Sequence, residues 1–97
     1  MNIEAFIEAQ KRALLEALTQ FVESLPDCSG NIGHIITGVD HFFRIDDYVI
    51  GVVWYTTRRV VYVQRRIGFI HETVMKMDVT PAQAKALVQT LTNKVVL

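Results

Sequence analysis

A chain of 97 residues with 51% hydrophobic residues and ten acids balanced by ten bases has the size and composition of one folded domain, 1–97, and excludes a disordered or supercharged polypeptide. No apolar run approaches the ~18 residues of a membrane span. The single cysteine, Cys28, excludes an intrachain disulfide and a cysteine-based zinc quartet. The opening "MNIEAFIEAQKR" has no basic segment followed by an apolar one, so no signal peptide is expected and the cytoplasm is the expected compartment. Charge is unevenly spread. Up to Thr57 eight acids face three bases, a net −5; from Arg58 onward seven bases face two acids, a net +5. Such asymmetry marks either a basic binding face or two halves of one domain that attract each other.

The first element is a helix. Asn2 caps it and Glu4 sits in its first turn. Ile3, Phe6, Ile7, Leu14, Leu18, Phe21, Val22 and Leu25 follow the spacing of one apolar stripe. Pro26 ends it, and "PDCSGNIG" (26–33) reads as a loop. Four strands are expected next, with a further short one at "HIITGV". "FFRI" (42–45) runs into a tight turn at Asp46-Asp47. "YVIGVVWYT" (48–56), "VVYVQRRI" (60–67) and "FIHETVMKM" (69–77) are rich in β-branched and aromatic residues. The last element is a helix with Thr80 as N-cap, Pro81 at its first position and Gln83 completing a capping box. The expected fold is α+β: an N-terminal helix, an antiparallel sheet of four or five strands, and a C-terminal helix.

The hairpin "WYTTRRVVYVQRR" (54–66) is the most informative stretch. With Thr57-Arg58 as the turn, one face carries Tyr48, Ile50, Val52, Trp54, Val61, Val63 and Ile67, with Arg65 as the exception. The other carries Val49, Gly51, Val53, Tyr55, Val60 and Tyr62, then Gln64 and Arg66. A register shift of two residues leaves every side chain on its face. Both faces are apolar near the turn, whereas a sheet with one wet face alternates cleanly. The central strands therefore need cover on both sides. Helices cover one; a second copy or a protein partner covers the other unless the two helices lie on opposite faces. Val49, Val53, Tyr55, Val60 and Tyr62 are the candidate interaction face, and a homodimer is the expected assembly.

The second reading is nucleic-acid binding through Tyr55, Arg58, Arg59, Tyr62 and Arg66, which combine aromatic and basic side chains in one hairpin. The competing account makes the aromatics core or interface and pairs the arginines with Asp46, Asp47 or Glu72.

Catalytic and metal patterns are weak. His34, His41 and His71 with Cys28 and Asp40 match no zinc spacing, and no H-E-x-x-H occurs. Cys28 with His34 or His41 is a conceivable nucleophile pair, and Asp46-Asp47 a conceivable carboxylate pair. "SGNIG" (29–33) matches no phosphate loop. Met75 and Met77 share a strand face as core filling. No enzyme activity, cofactor or metal is expected, and a domain this small is expected to lack a deep pocket.

The order helix, strands, helix is similar to that of double-stranded-RNA-binding domains, but "TPAQAKAL" lacks the lysine cluster that opens their last helix. Over residues 42–92 the architecture also resembles the dimeric single-stranded-DNA-binding coactivator domains, whose strand-to-helix junction is similar to "MDVTPAQAKAL". Secretion-chaperone-like dimers likewise pair a first helix with a twisted sheet. These resemblances are architectural and transfer no functional residue.

Overall fold

The computed structural model describes residues 2–26 and 32–95. Cys28, and with it any pairing to His34 or His41, lies outside the described residues. The chain runs α1 (Ile3–Ser24), β1 (Ile32–Thr37), β2 (Asp40–Ile45), β3 (Tyr48–Tyr55), β4 (Arg58–Ile67), β5 (Ile70–Val79) and α2 (Pro81–Lys94). The strands form one antiparallel meander in the order β1-β2-β3-β4-β5. The fold is α+β with helices at both ends, as expected.

Local chemistry sets the helix ends. Asn2 Oδ1 accepts from the Glu4 and Ala5 amides at 2.9 and 3.4 Å. At α2 the Thr80 hydroxyl accepts from the Gln83 amide at 3.1 Å, and Gln83 Oε1 accepts from the Thr80 amide at 2.9 Å. Two otherwise orphaned donors are thus satisfied. Thr80→Ala is expected to lower stability by about 1 kcal/mol, measurable as a shift in urea midpoint at unchanged slope.

All four hairpins have two-residue turns, at 38–39, 46–47, 56–57 and 68–69. In each the first turn residue has positive φ: Gly38 (62°), Asp46 (53°), Thr56 (39°) and Gly68 (63°). Such turns match the twist of the flanking strands. Thr56 is the strained one, because a β-branched residue disfavours the left-handed region. Trp54 Nε1 donates to its carbonyl at 2.8 Å and holds the turn closed. Thr56→Asn is expected to stabilise the protein by roughly 0.5–1 kcal/mol, read as a higher melting temperature.

The β3–β4 turn is thus Thr56-Thr57 rather than Thr57-Arg58. Trp54 faces Arg59 and Val53 faces Val60. The displacement is two residues, so both predicted faces survive intact. Residues 32 and 33, read as loop, open β1.

Both helices lie on the same side of the sheet. One core joins Leu18 and Val22 of α1 and Ala84, Leu87 and Leu91 of α2 to Ile32, Phe43, Ile45, Ile50, Val52, Val61, Met77 and Val79. Among the described residues, no helix or strand covers the opposite face.

Candidate functional site

The uncovered sheet face is built in cross-strand rows. One row reads Ile35, Phe42, Gly51, Tyr62 and Lys76; on one side of it lies Gly33, Arg44, Val49, Gln64, Thr73, and on the other the pair Thr37, Asp40 and the run Val53, Val60, Asp78. Tyr62 lies flat over Gly51. A Cβ at Gly51 would stand 2.7 and 2.8 Å from Tyr62 Cε1 and Oη, so only glycine fits beneath this ring. Phe42 flanks the same ring at 6.4 Å with a 56° tilt. Burial, then Tyr55 and Asp40, push the Tyr62 phenol above its ordinary pKa, so it stays a neutral hydrogen-bonding group.

All five candidate interaction residues share this face, but at different depths. Val60 is fully buried and Val53 is 9% exposed, so they form its floor. Val49 and Tyr62 are half-buried, while Tyr55 and Ile35 are exposed at 45% and 65%. The outer apolar layer is therefore Ile35, Phe42, Val49, Tyr55 and Tyr62. Ile35 and Phe42 belong to β1 and β2, outside the hairpin from which the face was read.

The arginines divide. Arg58 and Arg66 share the uncovered face with Tyr55 and Tyr62. Arg59 is on the opposite face, its guanidinium stacked over the Trp54 indole. Arg58 pairs with Asp78 at 3.6 Å and Arg65 with Glu72 at 3.5 Å. Tyr55 is flanked by Arg58 and Lys76 at 5.9 and 6.0 Å from its ring centre. Sequence reasoning missed Arg44, which with Arg66, His71 and the carboxylates of Asp46 and Asp47 rings an open hollow of about 280 Å³ whose apolar lining includes Phe42 and Val49. Its position on the face follows only from the β2–β3 register.

On the helix-covered side, Val52, Trp54, Arg59, Ala84, Lys85 and Val88 line an open groove of about 590 Å³. A volume of this order exceeds the expectation of little room for a pocket, but the groove is an open trough without enclosing walls. His41 reaches its edge. His34 Nε2 and His41 Nδ1 lie 3.0 Å apart, and His34 stacks on Phe43 with ring centres 4.2 Å apart. No third metal-ligating side chain joins the pair among the described residues.

Burial, then the neighbouring His41, hold the His34 imidazole below its ordinary pKa. The unfolded chain takes up this proton first, so its contribution to stability is complete above about pH 6.5 and is lost as pH falls below that value. The melting temperature is expected to drop between neutral pH and about pH 5, and to drop less in His34→Gln. Equal drops would remove His34 as a source of the pH dependence.

No helix is long and apolar enough to cross a membrane among the described residues. The fold and face define a five-stranded α+β meander with an uncovered sheet surface. Comparison with protein-family profiles, curated proteins and solved structures finds no significant match to this chain.

Proposed function

We propose that this chain is a small non-enzymatic interaction module, acting in the cytoplasm, that dimerises or binds a protein through the sheet face its helices leave uncovered. The observation that carries the reading is the placement of both helices on one side of the sheet. It leaves Ile35, Phe42, Val49, Tyr55 and Tyr62 as a contiguous apolar layer without internal cover. Monomeric proteins rarely leave such layers open without a binding role. Aromatic groups that are rigid and amphipathic, as Tyr55 and Tyr62 are, suit an interface core.

A photo-crosslinking residue placed at Tyr55 or Ile35 in the native cell tests this. Crosslinks to a second copy or to another polypeptide are expected, well above those from the exposed helix position Gln89. Yields at Tyr55 and Ile35 no higher than at Gln89 would refute the reading.

A second reading, nucleic-acid binding, is favoured by Arg44, Arg66 and Lys76, which share this face with Phe42 and Tyr62 and enter no ion pair among the described residues. It ranks below the first because Arg58 is engaged by Asp78, Tyr55 is flanked by its own chain's cations, and Arg59 points the other way. Titration with labelled single- and double-stranded oligonucleotides decides it. Binding that weakens steeply with salt supports it, and none at low salt ends it.

A further inference from the structure

We infer that α1 carries a self-association seam: a second copy of this chain seats its own α1 along Ile3, Ile7, Gln10, Leu14, Ala17 and Phe21. This surface is separate from the sheet face and goes beyond the reading above. Two stripes run side by side along α1. One, formed by Leu15, Leu18, Val22 and Leu25, turns into the subunit, with Leu18 and Val22 buried. The other is offset by one residue, about 100° around the helix. All six of its members are exposed.

The spacing 3, 7, 10, 14, 17, 21 alternates four and three without a break. A mean repeat of 3.5 is that of a helix packing lengthwise on another helix. No charged residue occupies the stripe, whereas Glu4, Glu8, Lys11, Arg12, Glu16 and Glu23 all lie elsewhere on the circumference. Depletion of charge is the compositional mark of an interface core.

Area and chemistry identify the occupant as a second copy. The seam residues Ile3, Ile7, Leu14 and Phe21, together with Phe6 flanking the seam, are between 44% and 72% exposed. With ~150–250 Å² on a phenylalanine and somewhat less on isoleucine or leucine, these five offer on the order of 500 Å² per copy. Two copies together would bury on the order of 1,000 Å², the threshold of a specific interface. The seam's one polar member, Gln10, is self-complementary, because an amide both donates and accepts. In a parallel pair each Gln10 meets its symmetry mate, and Ala17 meets Ala17. An antiparallel pair would press the amide against Leu14 without a hydrogen-bond partner. A single polar seam residue fixes register in this way.

Sedimentation velocity over a concentration series measures the dimer dissociation constant. Ile7→Glu and Leu14→Glu are each expected to raise it about 100-fold or more. Tyr55→Lys on the sheet face is expected to leave it within about threefold. Far-UV circular dichroism checks that α1 persists. Should a glutamate variant lose its helix, isotope-mixed NMR on the wild type supplies the answer. Intermolecular contacts are then expected between the Ile3, Ile7 and Leu14 methyls and the phenylalanine rings of the other copy. A monomeric wild type overturns the inference, as does a dimer indifferent to both α1 substitutions or one with intermolecular contacts only elsewhere. If Tyr55→Lys alone dissolves the dimer, the α1 assignment fails and the sheet-face reading stands. An α1-dependent dimer with no sheet-face crosslinks above the Gln89 level gives the converse.

Discussion

Phe43→Ala is expected to lower stability by about 3–5 kcal/mol, the largest effect of any truncation considered for this chain. Phe43 is fully buried, lies beneath the helices between His34 and Ile50 in its cross-strand row, and carries the His34 ring on its face. Removing it loses apolar burial, opens a cavity that rigid strand backbones cannot close, and frees His34 to reorient. A domain of this size holds only ~5–15 kcal/mol in total, so the variant would be marginal at room temperature. Urea unfolding followed by circular dichroism measures the loss. Ile35→Ala, on the opposite face at 65% exposure, is the control and is expected to cost about 0.5 kcal/mol or less. A loss below about 1 kcal/mol for Phe43→Ala would mean that the core is not organised around β2 as described.

Gly51→Val is the second large effect, at about 1–3 kcal/mol of destabilisation. Valine ordinarily favours a strand interior and glycine weakens one, so propensity alone gives the opposite sign. The Tyr62 ring occupies the space the new side chain needs, so the ring must move off its seat over Gly51. The diagnostic is the double variant with Tyr62→Ala. With the ring gone the valine has room, and its cost should vanish or reverse, a coupling of about 1–3 kcal/mol. Additive effects would show that Tyr62 does not rest on Gly51 in solution.

The elements whose signals are local were legible in the sequence. Asn2 and Pro26 bracket α1, the Thr80–Gln83 box opens α2, and the Asp46-Asp47 turn separates β2 from β3. The face assignment of the central hairpin also held through an error in its turn, because a two-residue slip preserves side-chain parity. Thr56 hid the true turn, since a β-branched residue gives no hint of positive φ.

What depends on register was not legible. The His34–His41 contact needs the β1–β2 pairing. The Arg58–Asp78 ion pair needs the β4–β5 pairing, whose irregularity beside Val63 and Gln64 shifts the strand by one residue. Arg44 and Phe42 joined the uncovered face only once β2 was placed beside β3. The single stripe read along α1 is two stripes one residue apart. Spacing in one dimension merges them, and burial separates Leu18 and Val22 from Leu14 and Phe21. The surplus of apolar surface was therefore readable from the sequence, but part of it lies on α1, at Ile3, Phe6, Ile7, Leu14 and Phe21, rather than on the central strands alone.

The central claim is that one copy of this chain cannot cover its own apolar surface and associates to do so. Light scattering on the purified wild-type protein, measured as it elutes from a sizing column over a range of loading concentrations, tests that most directly. A molar mass rising to twice 11.1 kDa is the predicted result. A mass fixed at 11.1 kDa up to the solubility limit, with the fold intact by circular dichroism, would contradict it.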